Sequence, residues 1–188
     1  MGTLYGNIYI PKGTYMYLME QRCSYLRVLS VFFVEPTTVH FIKEISKRIN
    51  LAHTSVRNYI TDLNAKGLIK KKKTKPFSGF VANRENEDFI FYKKVYNLYT
   101  LKELNHFLIQ EFWPKLIVLF GSYSRGEDVE SSDIDLLIVS KVKKDVDLTR
   151  FEKNLKRDIN LLIIDNLEKL DESLIKKIYN GFVLQGSF

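Results

Sequence analysis

Residues 120–139 read FGSYSRGEDVESSDIDLLIV, and the run just before them, KLIVLF (115–120), is short and apolar. Its β-branched and apolar content predicts a buried strand. The strand runs into Gly121-Ser122, a helix is expected near Ser122–Arg125, and Gly126-Glu127-Asp128 breaks it. Asp133–Val139 reads as the next strand. Residues i and i+2 of a strand share a face, so Asp133 and Asp135 are expected to project together. Two like charges that close repel in an apolar sheet, and a divalent cation between them resolves the conflict. Ligands that are all oxygen favour Mg2+ or Mn2+ over zinc. The Gly-Ser pair supplies the complement. A strand-to-helix turn exposes backbone N–H groups, and glycine lets a phosphate approach them. Ser122 adds a hydroxyl donor, and Arg125 is placed to lie near a triphosphate.

These residues resemble the DNA polymerase β-like nucleotidyltransferase superfamily. The shared pattern is a Gly-Ser, ten intervening residues (123–132) and Asp-x-Asp, with IYNGFVLQG (178–186) similar to the closing helix and strand of its minimal nucleotidyltransferase group. The resemblance covers about residues 113–188. It implies an α/β fold with a mixed sheet and magnesium-dependent transfer of AMP from ATP to a hydroxyl. For several members of the group, the acceptor is a tyrosine on a HEPN-domain ribonuclease toxin. The superfamily also carries a third carboxylate on a later strand. The corresponding strand here is RDINLLIID (157–165), and its aligned triplet is Ile159-Asn160-Leu161. Asparagine can coordinate through its carbonyl oxygen but cannot serve as a base. Asp158 shares the parity of Asn160, so either Asp158 substitutes or the third carboxylate is absent. The candidate catalytic set is therefore Asp133, Asp135 and Asp158.

Upstream, three apolar-periodic segments follow one another: Tyr25–Val34, His40–Ile49 and Thr54–Lys66. The first stops before Pro36 and the last at Gly67. Only residues 50–53 separate the second and third, the spacing of a helix-turn-helix. LIKKKKTKPFSGFVAN (68–83) then reads as a hairpin with Pro76–Gly79 at its turn. Residues 24–84 resemble the winged helix-turn-helix transcription regulators. That resemblance implies a recognition helix whose outward residues are Thr54, Ser55, Arg57, Asn58 and Thr61. Arg57 and Asn58 are types that read base edges bidentately. Lys70, Lys71, Lys72, Lys73 and Lys75 suit phosphates.

Charge supports this division. The net charge of +7 is uneven: residues 1–86 hold 14 Lys/Arg against 5 Asp/Glu, the remainder 15 against 17. A basic first half expects a polyanion, here DNA. The expected organisation is α+β with two domains: a winged helix-turn-helix over 1–87, a helical connector over 88–112, and a nucleotidyltransferase with a mixed sheet over 113–188. The connector carries apolar residues at Phe91, Val95, Leu98, Leu101, Leu104 and Leu108, a seam for core packing or a homodimer. One cysteine excludes a disulfide framework, and VLSVFFV (28–34) is too short to span a bilayer, so no membrane partner is expected. No signal peptide pattern is visible, and a cytoplasmic setting is expected. His40, His53 and His106 are read as surface or capping residues. A second functional class stands beside the enzyme: a DNA-binding regulator whose second domain is a weakly catalytic nucleotide sensor or a platform for a partner.

Overall fold

The computed structural model describes residues 3–5, 8–10, 23–75 and 77–188. The chain divides into two units, Met1–Asn83 and Arg84–Phe188. In the first, β1 (Thr3–Tyr5) and β2 (Ile8–Ile10) pair antiparallel. Helices α1 (Ser24–Val34), α2 (Ile42–Arg48) and α3 (His53–Ala65) follow, then β3 (Ile69–Lys72) and β4 (Gly79–Ala82). Proline stops α1 at Glu35 as the sequence predicts. Gly67, at φ +71°, takes the left-handed position after α3. Val28, Phe32, Ile45, Val56, Ile60 and Leu63 are fully buried, and each contributes about 1.5–3 kcal/mol by leaving water. The inward face of α3 is the one its periodicity marks.

The β3–β4 hairpin pairs Ile69 with Ala82 and Lys72 with Gly79. His40 joins it as a third strand fragment, its N–H donating to the Phe80 carbonyl and its carbonyl accepting from the Phe80 N–H, both at 2.8 Å. The expectation that His40 is a surface residue is therefore corrected. It is fully buried, edge-on to Phe32, where its backbone pairs with β4 at Phe80. Phe41, within the expected segment His40–Ile49, precedes α2 and is exposed.

The second unit opens with α4 (Glu87–Thr100), where the Asn86 side chain accepts from the Phe89 N–H, and continues with α5 (Lys102–Phe112). Then come β5 (Leu116–Phe120), α6 (Gly121–Arg125), β6 (Ile134–Val139), α7 (Thr149–Leu155), β7 (Ile159–Ile164), a 3-10 turn (Leu167–Lys169), α8 (Glu172–Tyr179) and β8 (Phe182–Gly186). The sheet order is β7-β6-β5-β8, with β6 and β7 parallel and the other pairs antiparallel, so the sheet is mixed as expected. Strand alternation splits the core in two. Ile117, Leu119, Ile134, Leu136, Ile138 and Ile159 pack with α5 and α7, while Leu116, Val118, Leu137 and Val139 pack with Ile178 of α8.

Residues 88–112, expected as a connector, form helices whose inward faces build this unit. Leu101, Leu104 and Leu108 are buried as their spacing predicts. Phe91 and Val95 are not: they are exposed, and α4 instead buries Phe89, Lys93 and Asn97. Tyr123 lies in the same core, its hydroxyl 3.0 Å from Thr100 Oγ1. Burial pushes its pKa up to about 12 from an ordinary 10. A raised pKa means that the folded state holds the proton longer, so this stability is complete below pH 10 and is lost as pH rises toward 12. Alkaline denaturation of Tyr123→Phe should therefore fall off less steeply over that interval than wild type. Parallel slopes would show that Tyr123 does not carry the titration.

Candidate functional site

At one end of the sheet, register lines up Phe120, Asp135 and Asn160 across β5, β6 and β7. Asp133 sits one residue before β6 rather than within it, so it is exposed while Asp135 is half-buried. One side chain reaches both. Asn160 Nδ2 donates to Asp133 Oδ2 at 3.1 Å and to Asp135 Oδ1 at 3.3 Å. The two carboxylates and the aligned asparagine thus form one cluster. Gly121, at φ +76°, closes it from the β5 side. A Cβ there would run into Asp135 Oδ2, so only glycine lets the turn backbone come this close.

The other sequence candidates fall around this cluster. Asp158 is exposed, and its backbone carbonyl accepts from the Ile134 N–H at 2.8 Å. The group that meets the carboxylate pair is Asn160. Ser122 is half-buried in the first turn of α6. Arg125 is held back along α6, Nε donating to Glu127 Oε2 at 2.8 Å and Nη1 to the Gly121 carbonyl at 3.0 Å.

The chemistry of this donor set fits a hard divalent cation. Two carboxylates converge, and Asn160 offers an amide whose oxygen would face the same point after a flip of the terminal group. Among the described residues no cluster of three or more His, Cys, Asp or Glu forms a metal cage. Two carboxylates plus phosphate oxygens is a usual way to hold Mg2+.

A buried polar network beneath the turn escaped the sequence reading. Asp128 and Lys93 are each 1% exposed. Lys93 Nζ lies 3.0 Å from Asp128 Oδ2 and donates to its carbonyl at 2.9 Å. Asn97 Nδ2 donates to Asp128 Oδ1 at 2.8 Å and to the Tyr123 carbonyl at 2.9 Å, and Arg157 Nη2 lies 3.5 Å from Oδ2. Burial pushes the Lys93 pKa down, opposed by the Asp128 charge. A lone carboxylate at that depth would be costly, and these donors satisfy it. The network pins α6, the 126–132 loop and the start of β7 to α4. The one signal for it in sequence was polar residues at helical spacing, Lys93 and Asn97, on a helix otherwise read by its apolar stripe.

In the first unit, Thr54, Arg57, Asn58 and Thr61 are exposed on α3, Ser55 is half-buried, and Thr61 Oγ1 donates back to the Arg57 carbonyl. Lys70, Lys71, Lys72, Lys73 and Lys75 are exposed on the hairpin. No helix among the described residues is long and apolar enough to cross a membrane.

Residues 101–184 match the family described as "Nucleotidyltransferase domain". A stretch of 31 residues is 61% identical to a Methanocaldococcus jannaschii protein described as "Putative protein adenylyltransferase", covering 16% of this chain and 31% of that protein. No solved structure matches. The match lies wholly within the second unit, and the general chemistry of nucleotidyltransferase domains is transfer of a nucleoside monophosphate from a nucleoside triphosphate.

Proposed function

We propose that this chain transfers AMP from ATP to a protein hydroxyl, with Mg2+ or Mn2+ held by Asp133 and Asp135, and that its first unit is a DNA-binding winged helix. The observation that carries the enzymatic reading is the convergence of Asp133, Asp135 and Asn160 beside Gly121, whose lack of a Cβ leaves room for the Asp135 carboxylate. The backbone at Gly121 and the Ser122 hydroxyl bind phosphate. Asp133 and Asp135 orient the cation, which supplies Lewis-acid neutralisation of charge on the transferring phosphoryl group. The acceptor oxygen forms a new bond to the α-phosphorus, the α–β phosphoanhydride bond breaks, and pyrophosphate leaves with those electrons. The acceptor proton passes to solvent or to Asp158, the nearest candidate base in sequence. The acceptor class that the family resemblance suggests is a tyrosine on a HEPN-domain partner, in a cytoplasmic setting and with a homodimer as the assembly.

The test is incubation with ATP labelled at the α-phosphate, Mg2+ and the HEPN-domain product of a neighbouring gene. Covalent label on that protein, absent with Asp133→Ala, is the expected result. Tight ATP binding with no label on any candidate acceptor would establish the second reading, a nucleotide sensor. Asn160 favours that reading, since an amide occupies both carboxylates where a third carboxylate would serve as base.

For DNA, the α3 residues Arg57 and Asn58 read bases, and the hairpin lysines neutralise phosphates. Replacing Lys71, Lys72, Lys73 and Lys75 by glutamine should weaken binding to the protein's own promoter. The log–log salt slope should fall by about 0.9 for each phosphate no longer neutralised. Arg57→Ala should instead relax sequence choice, at about 1–3 kcal/mol for the base pair it reads. An unchanged salt slope in the lysine variant removes the hairpin from the DNA interface.

A further inference from the structure

At the sheet end opposite the carboxylates, Trp113 is 81% exposed, the most exposed of the large hydrophobic residues described. It caps α5 in the left-handed conformation, φ 48° and ψ 52°, its N–H donating to the Ile109 carbonyl. That backbone favours glycine, and a bulky residue there is an outlier that calls for a reason. An indole left in water adds no core packing in return.

Its surroundings are basic. The Lys115 N–H donates to the Val139 carbonyl at 2.8 Å, and Ser140 Oγ donates to the Phe112 carbonyl at 2.5 Å. These bonds seat residues 113–115 against the loop Lys141-Val142-Lys143-Lys144. Lys144 pairs with Glu111 at 2.5 Å, whereas Lys115, Lys141 and Lys143 are exposed and unpaired among the described residues. Asp145, also exposed, is the acidic residue nearest in sequence. A basic cluster is unexpected on this part of the chain, since residues 87–188 hold more acidic than basic side chains.

We propose that the surface around Trp113 is a platform for single-stranded nucleic acid, the indole stacking on a base while Lys115, Lys141 and Lys143 meet the flanking phosphates. An exposed aromatic ring with cations around it is the arrangement by which proteins hold unpaired strands without reading sequence. Charge complementarity selects a polyanion. A lone indole, with Val142 as its sole exposed apolar neighbour in the loop, offers too little apolar area for a lipid surface, which takes a whole amphipathic face. The platform does not rest on nucleotidyl transfer. It lies about 17 Å from the carboxylate cluster along the five residues of β5, at roughly 3.3 Å per residue.

Trp113 is the chain's single tryptophan, so its emission reports on this surface alone. The full-length protein, with Lys71, Lys72, Lys73 and Lys75 changed to glutamine to silence the hairpin, is titrated with a 12-nucleotide oligothymidine. Saturable quenching that salt reverses is expected; affinities of the variants, which lack tryptophan, are read by the anisotropy of a fluorescein-labelled oligothymidine, and Trp113→Tyr should keep most of the affinity. Trp113→Gly should bind about 5- to 150-fold more weakly, the range for loss of one base stack. It should also melt no lower than the parent, because glycine relieves the left-handed backbone. Absence of quenching overturns the proposal, as does an affinity unchanged in Trp113→Gly. A blue shift with anionic vesicles but no response to the oligonucleotide overturns it in favour of a lipid surface.

Discussion

Asp135→Ala is expected to abolish nucleotidyl transfer while leaving the protein folded. Asp135 is half-buried at a strand end, and its carboxylate meets Asn160 and the space beside Gly121 rather than the apolar core. Under the proposed assignment, the interaction removed is the one that would hold the cation. Charge stabilisation by a bound cation is worth several kcal/mol, and each ~1.4 kcal/mol is tenfold in rate, so a loss of about 10³-fold is the scale to expect. Gly121→Ala should approach the same deficit without touching a carboxylate, because its Cβ would displace Asp135 Oδ2 and a φ of +76° strains any side chain. Asp158→Ala supplies the contrast. With an exposed side chain and its carbonyl engaged by β6, it should cost at most the roughly 10²–10⁴-fold of a general base, and close to nothing if solvent takes the proton. Initial rates across the three variants decide the assignment. A Gly121→Ala enzyme with wild-type rate would mean that the turn does not approach the cation.

Asn160→Asp carries the second large effect, and its sign depends on metal. Without a cation the variant loses two donated hydrogen bonds and adds a negative charge beside Asp133 and Asp135. A destabilisation of about 1–3 kcal/mol is the ordinary scale for lost partners. With Mg2+, three carboxylates face one another around a cation and the penalty reverses. The melting temperature should therefore rise more on adding Mg2+ in the variant than in wild type. Transfer should also gain, by as much as roughly 10²–10⁴-fold where deprotonation of the acceptor limits the rate. An identical Mg2+-induced shift in the two proteins would show that position 160 does not face the cation.

Much of this was legible in the sequence because local chemistry dictated it. Gly121 is required by the approach of Asp135, and the spacing to Asp133 and Asp135 follows from two adjacent antiparallel strands. The α3 face of Val56, Ile60 and Leu63 obeyed helical periodicity without interference. What failed was α4. Its apolar residues Phe91 and Val95 suggested one face, yet Lys93 and Asn97 are the ones buried. The buried carboxylate they serve, Asp128, lies 35 residues beyond Lys93, and no local pattern announces a partner at that distance. His40 misled for a related reason: its burial comes from a backbone bridge to Phe80, which side-chain chemistry does not reveal. The parity expected of Asp158 and Asn160 could not say which of them meets the carboxylates; the hydrogen bonds name Asn160.

The Lys93–Asp128 pair also decides where this protein can be cut. The family match begins at residue 101 and stops at 184. A fragment expressed on those borders would discard all of α4, leaving Asp128 without Lys93 and Asn97. It would also shorten β8, which pairs Gly186 with Leu116. Such a fragment would hold every residue that the family match covers and still lack what keeps the Gly121 turn in place. The unit that evolution marks by similarity is smaller than the unit that folds, and a fragment beginning at Arg84 and running to Phe188 respects the second.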